Sequence, residues 1–313
     1  MAKQVIPSQE KHKQHRIPRS YLRGFVPNQK KSEIWVYKEG KQWNPGIHSE
    51  AYNPCLAGFN KTAWEEDAYA FVTRAGQTDF NAVEDWLHRK EEEAKPILAK
   101  LRARQSISSP EKETFAQYIQ VMLRRTAERD RRMRTVADKV VANSLLHWPS
   151  LEFAKRGDFT RSRMISEIEE YSGTVVGKKW LLELSRVGMI PQLHADLVGL
   201  KWTFFAAPAG AFFVTSNYPV IYNQIPNRYS MLIFPISSNV VLLQKSNAPS
   251  DLQFVNASSD EVIAINFAFI REASVSVPCE IYASRADKKV LEMLTNGIDL
   301  NDNQKNALLK LYV

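Results

Sequence analysis

The chain has 313 residues, of which 44% are hydrophobic and 24% charged, and its formal net charge is +8. This is the make-up of a soluble, core-forming chain and excludes wholesale disorder and collagen-like order. Two cysteines, Cys55 and Cys279, are too few for a disulfide framework or a cysteine metal cage, and the first 30 residues carry no apolar run of signal-peptide length, so a reduced, cytoplasmic setting is expected.

Residues 1–31 hold eight Lys or Arg against one acid, Glu10, while the rest of the chain is nearly balanced at 34 against 33. Concentrated positive charge attracts polyanions by counterion release. His12, His15, Tyr21 and Phe25 are interleaved with those charges, so the segment is expected to pack rather than trail. Pro18 biases Ile17 away from helix. A helical turn after it would set Arg19 and Arg23 on neighbouring turns.

Glu33–Tyr37 alternates and predicts a strand, Lys38–Lys41 a turn, and 42–44 the returning strand of an N-terminal hairpin. Residues 44–62 carry Pro45, Gly46, Pro54 and Gly58 and predict loop. Apolar residues from Phe80 to Arg104 recur at helical spacing, with a kink expected at Pro96. Ser109-Pro110 starts a second helix that can run to residue 148 or break near Arg134; shorter helices follow at 160–171 and 177–187.

No charged residue occurs in the 26 positions from Trp202 to Asn227. That length suits a membrane span, but Pro208, Gly210, Asn217, Pro219, Asn223 and Pro226 interrupt it. Short buried strands at 201–206, 211–215 and 220–223 are the expectation, continued by Met231–Pro235 and Val240–Gln244. Ser258 and Glu261 form a capping box for a helix to about Arg271. Ser274–Ala283 predicts a strand, and Arg285–Thr295 and Asn303–Leu311 predict closing helices. Segregated runs of this kind mean α+β: an N-terminal hairpin, a long helical middle, and a strand-rich end with helices on one face of a mostly antiparallel or mixed sheet. The chain reads as one large unit, with the basic segment and hairpin at 1–60, helices at 61–198 and the sheet with its helices at 199–313.

Within 14–25 an imidazole, arginines and a phenol lie close together. A neutral histidine can move a proton near physiological pH, and an adjacent guanidinium can hold a phosphate or steady developing negative charge. His15 is therefore the candidate proton-transfer residue, Arg19 and Arg23 the phosphate ligands, and Tyr21 an orienting or donating group. Lys11, Lys13, Arg16, Arg124, Arg125 and Arg129 are candidate nucleic-acid contacts. Glu84, His88 and Glu91 share one helix face, but they flank the apolar stripe, where charges usually solvate or pair, here Glu84 with His88 or Glu91 with Lys95. No phosphate-binding glycine loop, dinucleotide fingerprint or nucleophile elbow appears. Neither a metal nor a cofactor is expected.

Gln14-His15, Pro18, Tyr21-Leu22 and Phe25 together resemble the opening signature of the domain-of-unknown-function 4238 family. Glu33–Lys38, the pair Glu84 and Glu91, Leu123–Thr126, Phe213–Val220, Phe234–Ser237 and Ile265-Asn266 resemble its later elements in order and spacing, from about residue 13 to about 284. Its members are mostly microbial proteins without an assigned activity, so the resemblance implies a family and no reaction. Where members usually carry Asp after Ser216, this chain has Asn217. An amide cannot serve as a base, but it can tie a turn through an Asx-type bond. Ser216, Asn217, Glu84 and Glu91 are supporting residues on this view.

The leading expectation is a protein acting on nucleic acid, RNA ahead of DNA, as a metal-independent ribonuclease-like effector; whether it catalyses anything stays open. The alternatives are a non-catalytic nucleic-acid or nucleotide sensor in a microbial defence or toxin system, and a metal-dependent hydrolase on Glu84, His88, Glu91 and the Ser216-Asn217 turn. No membrane partner is expected.

Overall fold

The computed structural model describes residues 12–26, 32–38, 53–72, 77–126, 191–199, 201–223, 231–244, 251–274, 280–294 and 298–312. Its strands are β1 (Lys13–His15), β2 (Glu33–Lys38), β3 (Asn53–Gly58), β4 (Trp64–Glu66), β5 (Phe71–Val72), β6 (Thr78–Asp79), β7 (Trp202–Ala206), β8 (Thr215–Ser216), β9 (Ile221–Asn223), β10 (Met231–Ser237), β11 (Val240–Gln244), β12 (Gln253–Asn256) and β13 (Glu280–Ala283). Its helices are α1 (Arg19–Leu22), α2 (Ala82–Arg102), α3 (Ser109–Arg124), α4 (Pro191–Gly199), α5 (Ser259–Ser274), α6 (Lys288–Leu294) and α7 (Asp302–Tyr312). The class is α+β. The described residues up to Gln14 and from Glu65 to Arg89 form one compact unit, and the other described residues form a second.

In the first unit Gln14 is fully buried. Its amide donates to the Phe80 carbonyl at 2.7 Å and accepts from the Tyr69 N–H at 2.5 Å. A buried amide costs little only when both ends are paired, so Gln14 ties two loops together. His12 meets Asp67 at 2.8 Å and packs against the Phe80 ring at 4.5 Å. The Asp79 carboxylate accepts from the Asn81 and Ala82 N–H groups at 2.8 and 2.9 Å, satisfying donors that the start of α2 leaves unpaired.

The second unit holds two larger sheets. One runs β12-β7-β11-β10-β9, antiparallel apart from the parallel β12–β7 pair; the other runs β3-β2-β13-β8. Successive side chains on a strand point to opposite faces. Leu232, Phe234, Ile236, Val240 and Leu242 join one buried cluster with Ile97, Leu98 and Leu101 of α2 and Phe115, Ile119 and Met122 of α3. Ile233, Val241 and Leu243 join a second cluster with Val262, Ile265 and Phe269 of α5. The central strands are thus covered on both sides, which is why their sequence lacks charge instead of alternating. Helices on one face were expected; the structure places them on both.

Other boundaries shift for local reasons. β2 pairs along one edge with β13 and along the other with β3, in the register Glu33↔Gly58 to Lys38↔Asn53. That stretch reads as loop because Pro54 lies in it, yet β3 is an edge strand, where proline is tolerated. The expected return strand at 42–44 lies outside the described residues, as do the helices at 160–171 and 177–187. Of the strand expected at 211–215 only Thr215 is in one, because β8 is just two residues long. Ser108 caps α3 in a reciprocal capping box with Glu111.

Candidate functional site

Ile17, Tyr21, Leu22 and Phe25 are all fully buried in the first cluster. Pro18 is extended, at φ −59 and ψ 135, and its carbonyl accepts from the N–H groups of Tyr21 and Leu22 at 3.1 and 3.0 Å. The chain thus turns into α1 immediately after proline, as Pro18 favours. A 3-10 turn over Arg23–Phe25 follows. Gly24 is required here: a Cβ would meet the Ile236 carbonyl at 2.8 Å and Arg102 Nη2 at 2.9 Å. The Arg102 guanidinium donates to the carbonyls of Tyr21 at 2.9 Å, Ile236 at 3.2 Å and Ser20 at 3.3 Å, so it supplies partners for the end of α1.

With one side of this turn inside, the other carries His15, Arg19 and Arg23. His15 is half-buried, and Arg19 and Arg23 are exposed. Arg19 Nε donates to His15 Nε2 at 3.1 Å. In the neutral ring this direction leaves the proton on Nδ1. The main chain of His15 is held from the interior: Arg125 donates one nitrogen to the His15 carbonyl and another to the Glu91 carboxylate. Arg125 is fully buried. Beside this pair lies Tyr118, whose phenol is pushed far up by burial first and by the Glu91 charge second.

Several expected roles are corrected. Tyr21 cannot meet a ligand: its hydroxyl donates to the Pro235 carbonyl at 2.7 Å and pairs with Thr215 Oγ1 at 2.8 Å, and the side chain is fully buried. Burial raises this phenol well above its ordinary value, opposed by the Thr215 bond. Arg124 and Arg125 are 3% and 0% exposed, and Arg16 is 7% exposed, so none offers a surface for nucleic acid. For Arg124 and Arg125 the physical reason is that α3 buries most of its circumference, including Phe115, Ala116, Tyr118, Ile119 and Val121. Glu91 pairs with Arg125, while Lys95 pairs with Glu92.

Lys13 is exposed and belongs to the first unit, as do part-buried Glu84 and exposed His88. Among the described residues no three His, Cys, Asp or Glu side chains come close enough to hold a metal ion. Lys11 and Arg129 lie outside the described residues. Ser216 Oγ accepts from the Tyr218 N–H at 2.9 Å and donates to its carbonyl at 2.8 Å. The Asn217 N–H donates to the Glu280 carbonyl and its side-chain oxygen accepts from the Glu280 N–H, both at 3.0 Å. An acceptor oxygen is all that this bracket asks of the side chain, so Asn217 can replace Asp here. Glu280 in turn takes bonds from Lys38 and the Tyr282 hydroxyl.

Arg102 and the Lys38–Glu280 pair have no local sequence signal, since their partners lie far along the chain. Asn266 fills a comparable place: it accepts from the Val214 N–H at 3.1 Å and donates to the Phe212 carbonyl at 2.8 Å.

The family model described as a protein of unknown function, DUF4238, matches residues 13–287, which takes in helices α1 to α5 and both large sheets of the second unit. No curated protein and no solved structure matches the chain.

Proposed function

The chain belongs to the DUF4238 family, and we propose that this member acts on nucleic acid, RNA first, through His15, Arg19 and Arg23. The observation that carries this is the 3.1 Å contact between the Arg19 guanidinium and His15 Nε2 on the solvent side of α1, with exposed Arg23 one turn further on. A guanidinium prefers a phosphate to an imidazole, because two charge-assisted bonds replace one neutral acceptor. A bound phosphodiester would draw Arg19 off Nε2, and that nitrogen is the proton acceptor of the reading. RNA carries its own nucleophile in the 2′-hydroxyl, so cleavage needs no metal. The 2′-oxygen bonds to phosphorus, its proton passes to Nε2, and the 5′-oxygen leaves with a proton from the imidazolium. The products are a 2′,3′-cyclic phosphate and a 5′-hydroxyl. The setting proposed is cytoplasmic.

A second reading is a non-catalytic nucleic-acid or nucleotide sensor of a microbial defence or toxin system. The sealed hydroxyl of Tyr21 favours it, since the site then lacks a second proton donor. Incubation of folded wild type, H15A and R19A with a labelled RNA separates the two. The catalytic reading expects cyclic-phosphate ends, lost by about 100-fold or more in H15A. Undiminished cleavage by folded H15A removes it. Binding that weakens steeply with salt and yields no product favours the sensor. No binding of RNA, DNA or nucleotides by the folded wild type overturns both.

A further inference from the structure

A cleft of about 400 Å³ opens in the second unit between the Ala209–Phe212 turn, α5 and α6. The volume falls in the range of small-molecule sites. Its lining divides by chemistry. Phe212, Val262, Ile263, Val290 and Met293 form an apolar floor, and Arg285 and Lys289 stand on the rim. This floor belongs to the second buried cluster, whereas His15 sits over residues of the first, so the cleft is not part of the site described above.

The rim is organised before anything binds. The Arg285 guanidinium lies 4.7 Å from the centroid of the Phe212 ring, and one of its nitrogens donates to the Gly210 carbonyl at 2.7 Å. Gly210 takes φ +82 to form this turn, and the space where its Cβ would point is open. The Arg285 side chain remains 53% exposed, 3.6 Å from the Asp287 carboxylate. Asp287 is already engaged, because its other oxygen accepts from the Lys289 N–H at 2.8 Å. The rim therefore keeps an excess of one positive charge over an apolar floor. Stacking on Phe212 and the bond to Gly210 hold the guanidinium in place, so less side-chain entropy is lost when it meets an anion.

We infer that this cleft binds a small amphipathic anion, with an alkyl or aryl body on the floor and a carboxylate or phosphate head at Arg285 and Lys289. The full chain is titrated calorimetrically with sodium octanoate, with octyl phosphate, and with 1-octanol as the uncharged control. Saturable binding of at least one anion is expected, with 1-octanol about tenfold weaker or worse, a difference of about 1.4 kcal/mol. The tighter of the two anions identifies the head. Arg285→Glu weakens binding by about tenfold or more, and as an exposed substitution it leaves the fold intact. Ile263→Trp fills the cleft and abolishes binding. Affinity for 1-octanol equal to that for the tighter anion, or wild-type affinity in R285E, overturns the anion claim. No saturable binding of either anion by the folded chain overturns the site.

Discussion

Arg19 and Arg125 both come from arginine-rich stretches, and both touch His15. Arg19 meets its ring from the solvent side, and Arg125 meets its main-chain carbonyl from the interior. The same side chain does two jobs because its neighbours differ. α1 is a four-residue turn with one face in water. Arg125 ends a helix that is buried around most of its circumference, and burial of its charge is tolerable because Glu91 and a carbonyl take its donors. A cluster of positive charge in a sequence thus reports a polyanion surface only where the element carrying it has a wet face.

This contrast is most exposed to attack at Arg125. Arg125→Ala strands the Glu91 carboxylate, which is 16% exposed, and should cost up to about 3–5 kcal/mol in denaturant unfolding. Arg19→Ala should cost less than about 1 kcal/mol. Similar losses would erase the distinction between the two. The double variant R125M/E91M sharpens it: an apolar pair of similar volume should recover most of the loss.

Tyr21→Phe tests whether the phenol is structural. It should lose about 1–3 kcal/mol, because the Pro235 carbonyl loses its donor and the Thr215 hydroxyl its acceptor, and RNA affinity should not change. Lost affinity at unchanged stability would return Tyr21 to the site. Gly24→Ala should cost about 1–3 kcal/mol by thermal unfolding, since its Cβ must displace backbone at Ile236.

The smallest expected effect is at the start of α3. Bonds from the Lys100 ammonium and the Ser108 N–H hold the Glu111 carboxyl down to about 2 from an ordinary 4.5. A depressed folded value means that this contribution is present above the ordinary value and fades as pH falls through about 2. Carboxyl NMR titration should show the low midpoint, and Glu111→Gln should remove this part of the acid dependence. A midpoint near 4.5 would mean that the capping box is open in solution.

Much of the second unit was legible from pattern alone. Uncharged strands, the Ser258–Glu261 capping box and the Ser109-Pro110 start each encode their element in a few neighbouring residues. Phe25 and Leu22 were readable as packing groups because apolar residues do not alternate with charge in a free tail. The β2 partner was misread because Pro54 argues locally against a strand, and only the position of β3 at a sheet edge excuses it. Arg102 was silent, since its role is to meet carbonyls of residues 20, 21 and 236.

By itself the sequence determined what depends on short range: where helices begin, where proline turns the chain, and that His15 and Arg19 stand four residues apart on one turn. Burial is a property of what packs against a residue from elsewhere in the chain. Only the tertiary structure therefore decided that Tyr21 and Arg125 are interior while Arg19 and Arg23 face water, and that Phe212, Arg285 and α5 enclose a cleft.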